Sequence, residues 1–358
     1  MSRGVFLLRL LLPLWPAAAK HAAWIETLRH LRKGFGSSES IGSWQPGACI
    51  SNNSSPTLWF LGNSVSRIHL FAALALLSKQ QASTVSVDDQ ITQCGRGGEW
   101  KGRRPGQGLS CLGPCSCSDV APGSNVKVVF VWQQRAWDET LDSALSGGRF
   151  SPKTAPIAQG DIVLMSSGLD SVYSVFKKTL TAKKAFGLDG RAIRGNYSFF
   201  AEQWRTALAK DAERLAASVA TAWRGGRRVF WRSNTLDCYP TNRTRPEFAA
   251  GLRPGTPGRS MMDSLGFASL SSWMNSLLAE HDNTVRVALE RQGLPVLDMR
   301  EIELEVNGCT AHGDDASVSA CRCEGYLDKS KLHPDPLRAS RQVAKLLARM
   351  DEYCHLRI

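Results

Sequence analysis

The sequence predicts an α/β fold, namely a three-layer, doubly wound and mainly parallel sheet within a single domain. Short apolar runs alternate with stretches of helical periodicity from Thr57 almost to the C-terminus. This alternation is typical of strands joined by crossover helices. The chain has 358 residues, of which 43% are hydrophobic and 21% charged, enough to bury one large core.

The predicted strands are apolar runs of no more than seven residues, rich in Val, Ile, Leu, Phe and Trp and followed by polar or turn residues. Continuous runs of this kind are typical of strands buried on both faces of a parallel sheet. The five runs are Leu58–Gly62, Val126–Trp132, Asp161–Ser166, Arg228–Arg232 and Leu294–Met299.

Three predicted helices have apolar stripes that we assign to the core. One follows the first strand, with apolar residues from Ile68 to Leu77. A longer one has its stripe from Phe200 to Trp223, at spacings of four and seven residues. The third lies near the C-terminus, where Asp335 can cap a helix that Pro336 opens.

The N-terminus predicts entry into the secretory pathway. Residues 1–19 combine an early basic residue, a short apolar run and the small residues Ala17–Ala19, as a signal peptide does. An uncleaved signal anchor in a Golgi protein is the alternative, whereas the apolar run argues against an organelle transit peptide. Residues 20–56 are polar and Ser/Gly-rich, which predicts a stem or packing arm before a domain over residues 57–358.

Two further features agree with secretion. Asn-X-Ser/Thr glycosylation triplets begin at Asn52, Asn53, Asn196 and Asn242. The chain has ten cysteines, several of them crowded together, which in an oxidising compartment predicts disulfide-bearing loops of unknown pairing. The alternative for one cluster is a zinc site, with the ligands Cys309, His312, Cys321 and Cys323.

The formal net charge is +12, carried by scattered basic residues with small groups at Lys101–Arg104 and Arg224–Arg228. A solvated surface explains such a distribution. The functional alternative is attraction to an anionic partner such as an acidic glycan, because net charge steers encounters. The sequence has no stripe of alternating basic and aromatic residues, which argues against nucleic-acid binding.

Ser64 is the first candidate for chemistry. The segment Gly62-Asn63-Ser64 lies between the first predicted strand and its helix, so the serine falls at the carboxyl edge of the sheet, where ligands bind in such folds. Free backbone amides and the helix dipole at that position stabilise a developing oxyanion. A serine hydroxyl needs a base to become a strong nucleophile, and the alternative role for Ser64 is helix capping.

The sequence Gly62-Asn63-Ser64-Val65-Ser66-Arg67 resembles the first block of the SGNH, or GDSL, hydrolase superfamily. It is most similar to the Gly-Asp-Ser-x-x-Arg form of PC-esterase-like and trichome-birefringence-like polysaccharide O-acetyltransferases, with Asn63 in place of aspartate. The resemblance implies an SGNH, flavodoxin-like fold, with Ser64 as the nucleophile and Arg67 among the substrate-binding residues.

The second part of the resemblance lies near the C-terminus. Leu332-His333-Pro334 is similar to the end of the family's Asp-x-x-His motif, which implies that His333 is the general base. Ser330 stands where the family has aspartate. Asp328, two residues earlier, is therefore the candidate that orients the imidazole. His312 is the alternative base.

Two other blocks carry the weaker parts of the resemblance. Gly168-Leu169-Asp170 stands where many SGNH enzymes have Gly-x-Asn, whose asparagine donates to the oxyanion. An ionised Asp170 repels an oxyanion, so either another donor serves or Asp170 has another role. Arg232 ends its predicted strand as an arginine does in related acyltransferases, and it either binds substrate or forms a structural ion pair. Gly95, Gly97, Gly98 and several glycines near Gly106 compete for the place of the glycine in the family's second block.

The resemblance implies a serine-dependent O-acyl esterase or O-acyltransferase that acts on a glycan in the secretory pathway, through an acyl-enzyme on Ser64 and without a metal or organic cofactor. The expected partner is a glycan or other acylated substrate, and the net charge of +12 favours an anionic one. No nucleic acid is expected, and a membrane is expected only if the N-terminus is an anchor. The alternative is a catalytically weak SGNH-like glycan-binding or structural protein, favoured by Asn63, Ser330 and Asp170. A zinc-dependent enzyme is the third hypothesis.

Overall fold

A computed structural model describes residues 56–77, 116–120, 126–150, 154–180, 197–235, 248–307, 334 and 336–355. The predicted signal segment and nearly all of the predicted stem lie outside these residues, as do the asparagines of the four glycosylation triplets. Within the described ranges, no helix combines the length and the apolar composition that crossing a membrane requires.

The described part of the chain contains a six-stranded sheet in the order β2-β3-β1-β4-β5-β6. Five strands are parallel, and β2 pairs antiparallel with β3 at one edge. The five predicted strands are confirmed as β1, β3, β4, β5 and β6. Their bounds are β1 Thr57–Gly62, β2 Ser116–Val120, β3 Lys127–Trp132, β4 Ile162–Met165, β5 Arg228–Arg232 and β6 Val296–Leu297.

The three predicted helices are confirmed as α1, α4 and α8, and α8 begins at Pro336 as expected. A short 3-10 turn covers Ala249–Leu252. The helices of the described residues are α1 Ser64–Leu77, α2 Glu139–Leu145, α3 Leu169–Leu180, α4 Tyr197–Arg224, α5 Pro257–Ser264, α6 Leu270–Arg291, α7 Met299–Asn307 and α8 Pro336–His355.

Helices cover both faces of the sheet. Side chains alternate along each strand, so Leu58 and Phe60 pack with α1, α7 and α8, whereas Trp59 and Leu61 pack with α2, α4 and α6. Burial on both faces explains why these strands are continuous apolar runs. A third cluster joins α3, the 3-10 turn and α5 to the first residues of α4 and α6, and Trp273 lies at its centre.

Asp161 connects the starts of β1 and β4. One carboxylate oxygen accepts from the Thr57 amide at 2.9 Å, and the other accepts from Trp59 Nε1 and the Ala158 amide, each at 2.9 Å. These three hydrogen bonds satisfy both oxygens of a buried carboxylate. This cluster supports the register in which Leu58 lies opposite Ile162.

The order of the strands defines where a ligand is expected. The strands β3 and β4 lie on opposite sides of β1, so the chain changes its winding direction there. In open α/β sheets the crevice at such a point, outside the carboxyl ends of the strands, is the usual binding site. The carboxyl ends of β1 and β4 are therefore the place where a ligand is expected.

Candidate active site at the sheet edge

The turn that follows β1 requires glycine. Gly62 has a φ of +155°, and a Cβ atom there would lie 2.2 Å from Ser66 Oγ and 2.8 Å from the Ser166 carbonyl oxygen. The glycine lets the start of α1 and the end of β4 approach each other closely. As a result, α1 begins two residues after the end of β1, at Ser64.

Asn63 is the N-cap of α1. Its Oδ1 accepts from the Val65 amide at 2.9 Å, and its carbonyl oxygen accepts from the Arg67 amide at 3.1 Å. Asparagine and aspartate are about equally good at this position. The local geometry therefore explains how asparagine can stand where the resembling family has aspartate. It also puts the backbone of Ser64 at the positive end of a 14-residue helix.

The segment after β4 faces this turn. Ser166 and Ser167 are buried, and their hydroxyl groups have no hydrogen-bond partner among the described residues. Gly168 has a φ of +116°, and a Cβ atom there would lie 2.6 Å from His281 Nδ1. The Gly168 carbonyl accepts from the Val172 amide at 2.8 Å, so this glycine begins α3.

Asp170 lies in the first turn of α3. A carboxylate there interacts favourably with the helix dipole. This interaction explains an aspartate at this position, because a neutral asparagine would not make it. Its side chain lines a cleft between α3 and α4. The contribution of Asp170 to an oxyanion site stays a prediction.

Arg232 connects β5 to α1. It is 1% exposed, its Nη2 donates to Ser66 Oγ at 2.8 Å, and its Nη1 donates to the Ser233 carbonyl at 3.2 Å. Ser66 is two residues beyond Ser64, so this guanidinium lies under the first turn of α1. Arg67 belongs to the same turn and is partly buried. The structure thus brings both predicted arginines to the edge where α1 begins.

His69 connects α1 to α8. Its Nε2 lies 3.0 Å from Gln342 Oε1, and Gln342 Nε2 donates to Glu303 at 3.4 Å. Because the glutamine oxygen is the acceptor, Nε2 of His69 carries the proton. Burial and then the nearby Arg232 charge lower the pKa of His69 to about 3. A histidine that is neutral and fully buried is a structural link and not a base near neutral pH.

A second buried polar cluster joins α6 to the ends of β4 and β5. Asp282 accepts from Asn234 Nδ2 at 2.7 Å, from the Asn234 amide at 2.8 Å and from His281 Nδ1 at 3.3 Å. Asn234 Nδ2 also donates to the Ser167 carbonyl at 2.6 Å. This cluster was not predicted from the sequence. Its signal is a polar pair, His281-Asp282, on an otherwise apolar helix stripe that includes Leu277 and Val285.

The structure therefore brings five predicted site residues to one edge of the sheet and leaves the others untested. The backbone of Ser64 lies there with Arg67, Gly168, Asp170 and Arg232. His333 and Asp328 lie outside the described residues. So do the alternative base His312, the proposed zinc ligands and the glycines considered for the second block. Over the described ranges, no group of three or more His, Cys, Asp or Glu residues is arranged to hold a metal ion.

Comparison of the chain with protein-family models, with curated proteins and with solved structures gave no significant match.

Proposed function

We propose that this protein is a serine-dependent O-acyl esterase or O-acyltransferase of the SGNH type that acts on a glycan in the secretory pathway. The observation that carries the proposal is the position of Ser64. It is the first residue of α1, at the point where the sheet changes its winding direction between β1 and β4. In the same proposal, the domain is doubly wound and flavodoxin-like, with disulfide-bearing loops.

The proposed reaction uses two steps. The hydroxyl of Ser64 attacks an ester carbonyl carbon while His333 takes its proton, and the carbonyl oxygen becomes an oxyanion. The C–O bond of the leaving alcohol then breaks, and that alcohol takes the proton back from His333. Water or a sugar hydroxyl resolves the acyl-enzyme by the reverse sequence, which gives hydrolysis or transfer.

The direction of α8 supports the role of His333. Glu303 of α7 pairs with Gln342 of α8, and further along both helices Glu305 pairs with Arg349 at 2.7 Å, so the two helices run in the same direction. Helix α7 begins at Met299, directly after β6, and thus at the carboxyl edge of the sheet. Helix α8 therefore begins at that edge too.

The level of the two helix starts gives further support. His69 is five residues beyond Ser64 and Gln342 six beyond Pro336, and the two side chains are in contact. At 1.5 Å per residue, the starts of α1 and α8 lie about 7.5 and 9 Å back from this contact. His333 precedes Pro336 by three residues, a span of at most about 11 Å. The proposed pairing of His333 with Ser64 is compatible with these distances between the described helix starts.

The other roles follow from the same edge. We propose that backbone amides at the start of α1 and next to Gly168 hold the oxyanion, because Asp170 offers no side-chain donor when ionised. Asp328 is proposed to orient the His333 ring. Arg232 is proposed to fix the first turn of α1 through Ser66, and Arg67 to bind substrate. Cys354 in α8 is disulfide-bonded, which supports an oxidising, secretory compartment.

Turnover of an activated ester tests the proposal. With 4-nitrophenyl acetate as substrate, we expect Ser64→Ala and His333→Ala each to lower kcat/KM by about 10³-fold or more, because the two groups act as one unit. Ser264→Ala is the matched control, since it removes a serine hydroxyl from an exposed position on α5, where it donates to the Met261 carbonyl, and it should retain activity. Wild-type activity in Ser64→Ala would contradict the proposal.

A further inference from the structure

A cleft of about 440 Å³ lies between α3 and α4, beside the segment that follows β3. Asp170 and Gln134, which come shortly after the carboxyl ends of β4 and β3, both line it. The cleft therefore opens at the same sheet edge as the start of α1. Its volume lies in the range of pockets that hold small organic ligands.

The most deeply buried residue of the cleft is a histidine with one unused nitrogen. His281 is 0% exposed and lines the cleft, and its Nε2 has no hydrogen-bond partner among the described residues. Its other nitrogen, Nδ1, lies 3.3 Å from the Asp282 carboxylate, which fixes a proton there. Nε2 is then an acceptor in the neutral ring and a donor in the charged ring. A hydroxyl group complements both states, because it donates and accepts.

The rotation of this imidazole is fixed by its surroundings. The ring stacks on Trp231 with a centroid distance of 5.9 Å, and it lies so close to Gly168 that a Cβ atom there would be 2.6 Å from Nδ1. Asp282 is itself held by two hydrogen bonds from Asn234. An immobilised imidazole with an unused nitrogen is a preorganised hydrogen-bonding group, which makes a ligand in the cleft the natural partner.

The walls of the cleft combine an apolar and a polar surface. Phe200 and Trp204 supply aromatic surface, and Leu208 supplies aliphatic surface. The hydroxyl and amide groups of nearby lining residues stand beside them. A surface of this kind fits a ring that has apolar C–H faces and polar edges.

The charges of the cleft nearly cancel. Arg135 binds Asp211 through two nitrogen atoms, with Nη2 2.8 Å and Nε 3.2 Å from one carboxylate oxygen. Asp170 and Lys178 are the other charged residues of the lining, and they have opposite signs. The lining therefore selects neither an anion nor a cation, and an uncharged ligand fits it best.

We infer that this cleft binds an uncharged pyranose ring, with a C–H face against Trp204 and Phe200 and a hydroxyl group on Nε2 of His281. Binding of the sugar itself needs no acyl chemistry. The role of the cleft as the glycan subsite beside Ser64 rests on the proposed function. The two claims are separable, because one is measured by binding and the other by turnover.

Saturation-transfer NMR on the full-length protein tests the inference. The probes are the methyl pyranosides of glucose, galactose, mannose, xylose and N-acetylglucosamine, with cyclohexanol as a ring that has a single hydroxyl. Ala207→Trp fills the cleft from an exposed position on α4. Ala217→Trp is the matched control, since Ala217 is exposed on the same helix and does not line the cleft. His281→Phe keeps a ring and removes Nε2.

We expect at least one pyranoside to bind the wild type more tightly than cyclohexanol does. Ala207→Trp and His281→Phe should weaken that binding at least tenfold, while Ala217→Trp should leave it unchanged. If His281→Phe fails to fold, the two tryptophan variants decide. The inference is overturned if no pyranoside binds at tens of millimolar, or if Ala207→Trp binds as the wild type does. Loss of esterase activity in Ser64→Ala with sugar binding intact would support both claims, whereas sugar binding without any esterase activity would remove the proposed function alone.

Discussion

Gly168 and Gly266 both have a positive φ, but their surroundings differ. Gly168 has a φ of +116° with the His281 ring 2.6 Å from the place of a Cβ, whereas Gly266 has a φ of +75° with no atom within 4 Å of that place. Replacing either glycine by a residue with a Cβ atom strains the backbone, at a cost of about 1–2 kcal/mol. Gly168 alone adds a steric conflict with a ring that Asp282 and Trp231 hold in place.

We therefore expect Gly168→Ala to lower the free energy of unfolding by about 1–3 kcal/mol more than Gly266→Ala does. Urea denaturation followed by circular dichroism measures both variants. An equal loss in the two would show that His281 does not pack against Gly168 as described.

The depressed pKa of His69 predicts a loss of stability in acid. The folded protein holds this ring neutral down to a pH of about 3, whereas the unfolded chain protonates it near 6.5. Between these values the unfolded state binds more protons, so stability falls as the pH is lowered from 6.5 toward 3. The contribution of one group is at most about 1.4 kcal/mol per pH unit.

His69→Gln removes this titration while keeping a donor for Gln342. We expect its unfolding free energy to depend less steeply on pH between 6 and 4 than that of the wild type, by up to about 1.4 kcal/mol per unit. Urea titrations at several pH values give the two slopes. Equal pH dependence of the unfolding free energy in the wild type and in His69→Gln would mean that the folded protein does not hold His69 neutral.

At the level of single residues, a position that depends on neighbouring residues in the sequence was predictable. Contacts between residues far apart in the sequence were not. Ser64 at the start of a helix follows from Gly62-Asn63-Ser64 after an apolar run. The Arg232–Ser66 hydrogen bond joins residues 166 positions apart, and no local pattern indicates it. No local pattern indicates the close approach of His281 to Gly168 either, because it forms only when α6 packs against the segment after β4.

Strands were predictable from the sequence where both of their faces are buried. The five parallel strands have continuous apolar sequences because helices cover both faces of the sheet. The edge strand β2 has the sequence Ser-Cys-Ser-Asp-Val and no such run, and its place depends on backbone pairing with β3. Helix α6 is harder to recognise because His281 and Asp282 interrupt its apolar stripe.

The attachment of β4 to β1 depends on Asp161, which accepts hydrogen bonds from Thr57, Trp59 and Ala158. Asp161→Ala leaves buried donors without an acceptor, each costing about 1–3 kcal/mol. We expect a total loss of at least about 3 kcal/mol in the free energy of unfolding. Asp263→Ala is the control, since Asp263 forms an exposed pair with Arg259 and its loss should change stability by less than about 1 kcal/mol.

Guanidinium or urea titration of both variants gives the comparison. Similar values for Asp161→Ala and Asp263→Ala would contradict the description of Asp161 as the connection between the two strands.

For the whole molecule, the decisive property is the order of the strands. Apolar runs and helical stripes predict an α/β sheet, but they do not state that β1 lies between β3 and β4. That order depends on which hydrophobic faces pair over long distances, and it creates the crevice in which α1 begins with Ser64. The proposed chemistry and the proposed sugar cleft both lie along this one edge.

A serine-directed fluorophosphonate tests the central claim, that Ser64 is an activated nucleophile. Peptide mapping by mass spectrometry after labelling of the full-length protein should find one adduct, on Ser64, and Ser64→Ala should not label. Labelling of His333→Ala should be strongly slowed, because the hydroxyl then lacks its base. A wild-type protein that does not react, or that carries the adduct on another serine, would contradict the account and favour a glycan-binding protein without catalysis.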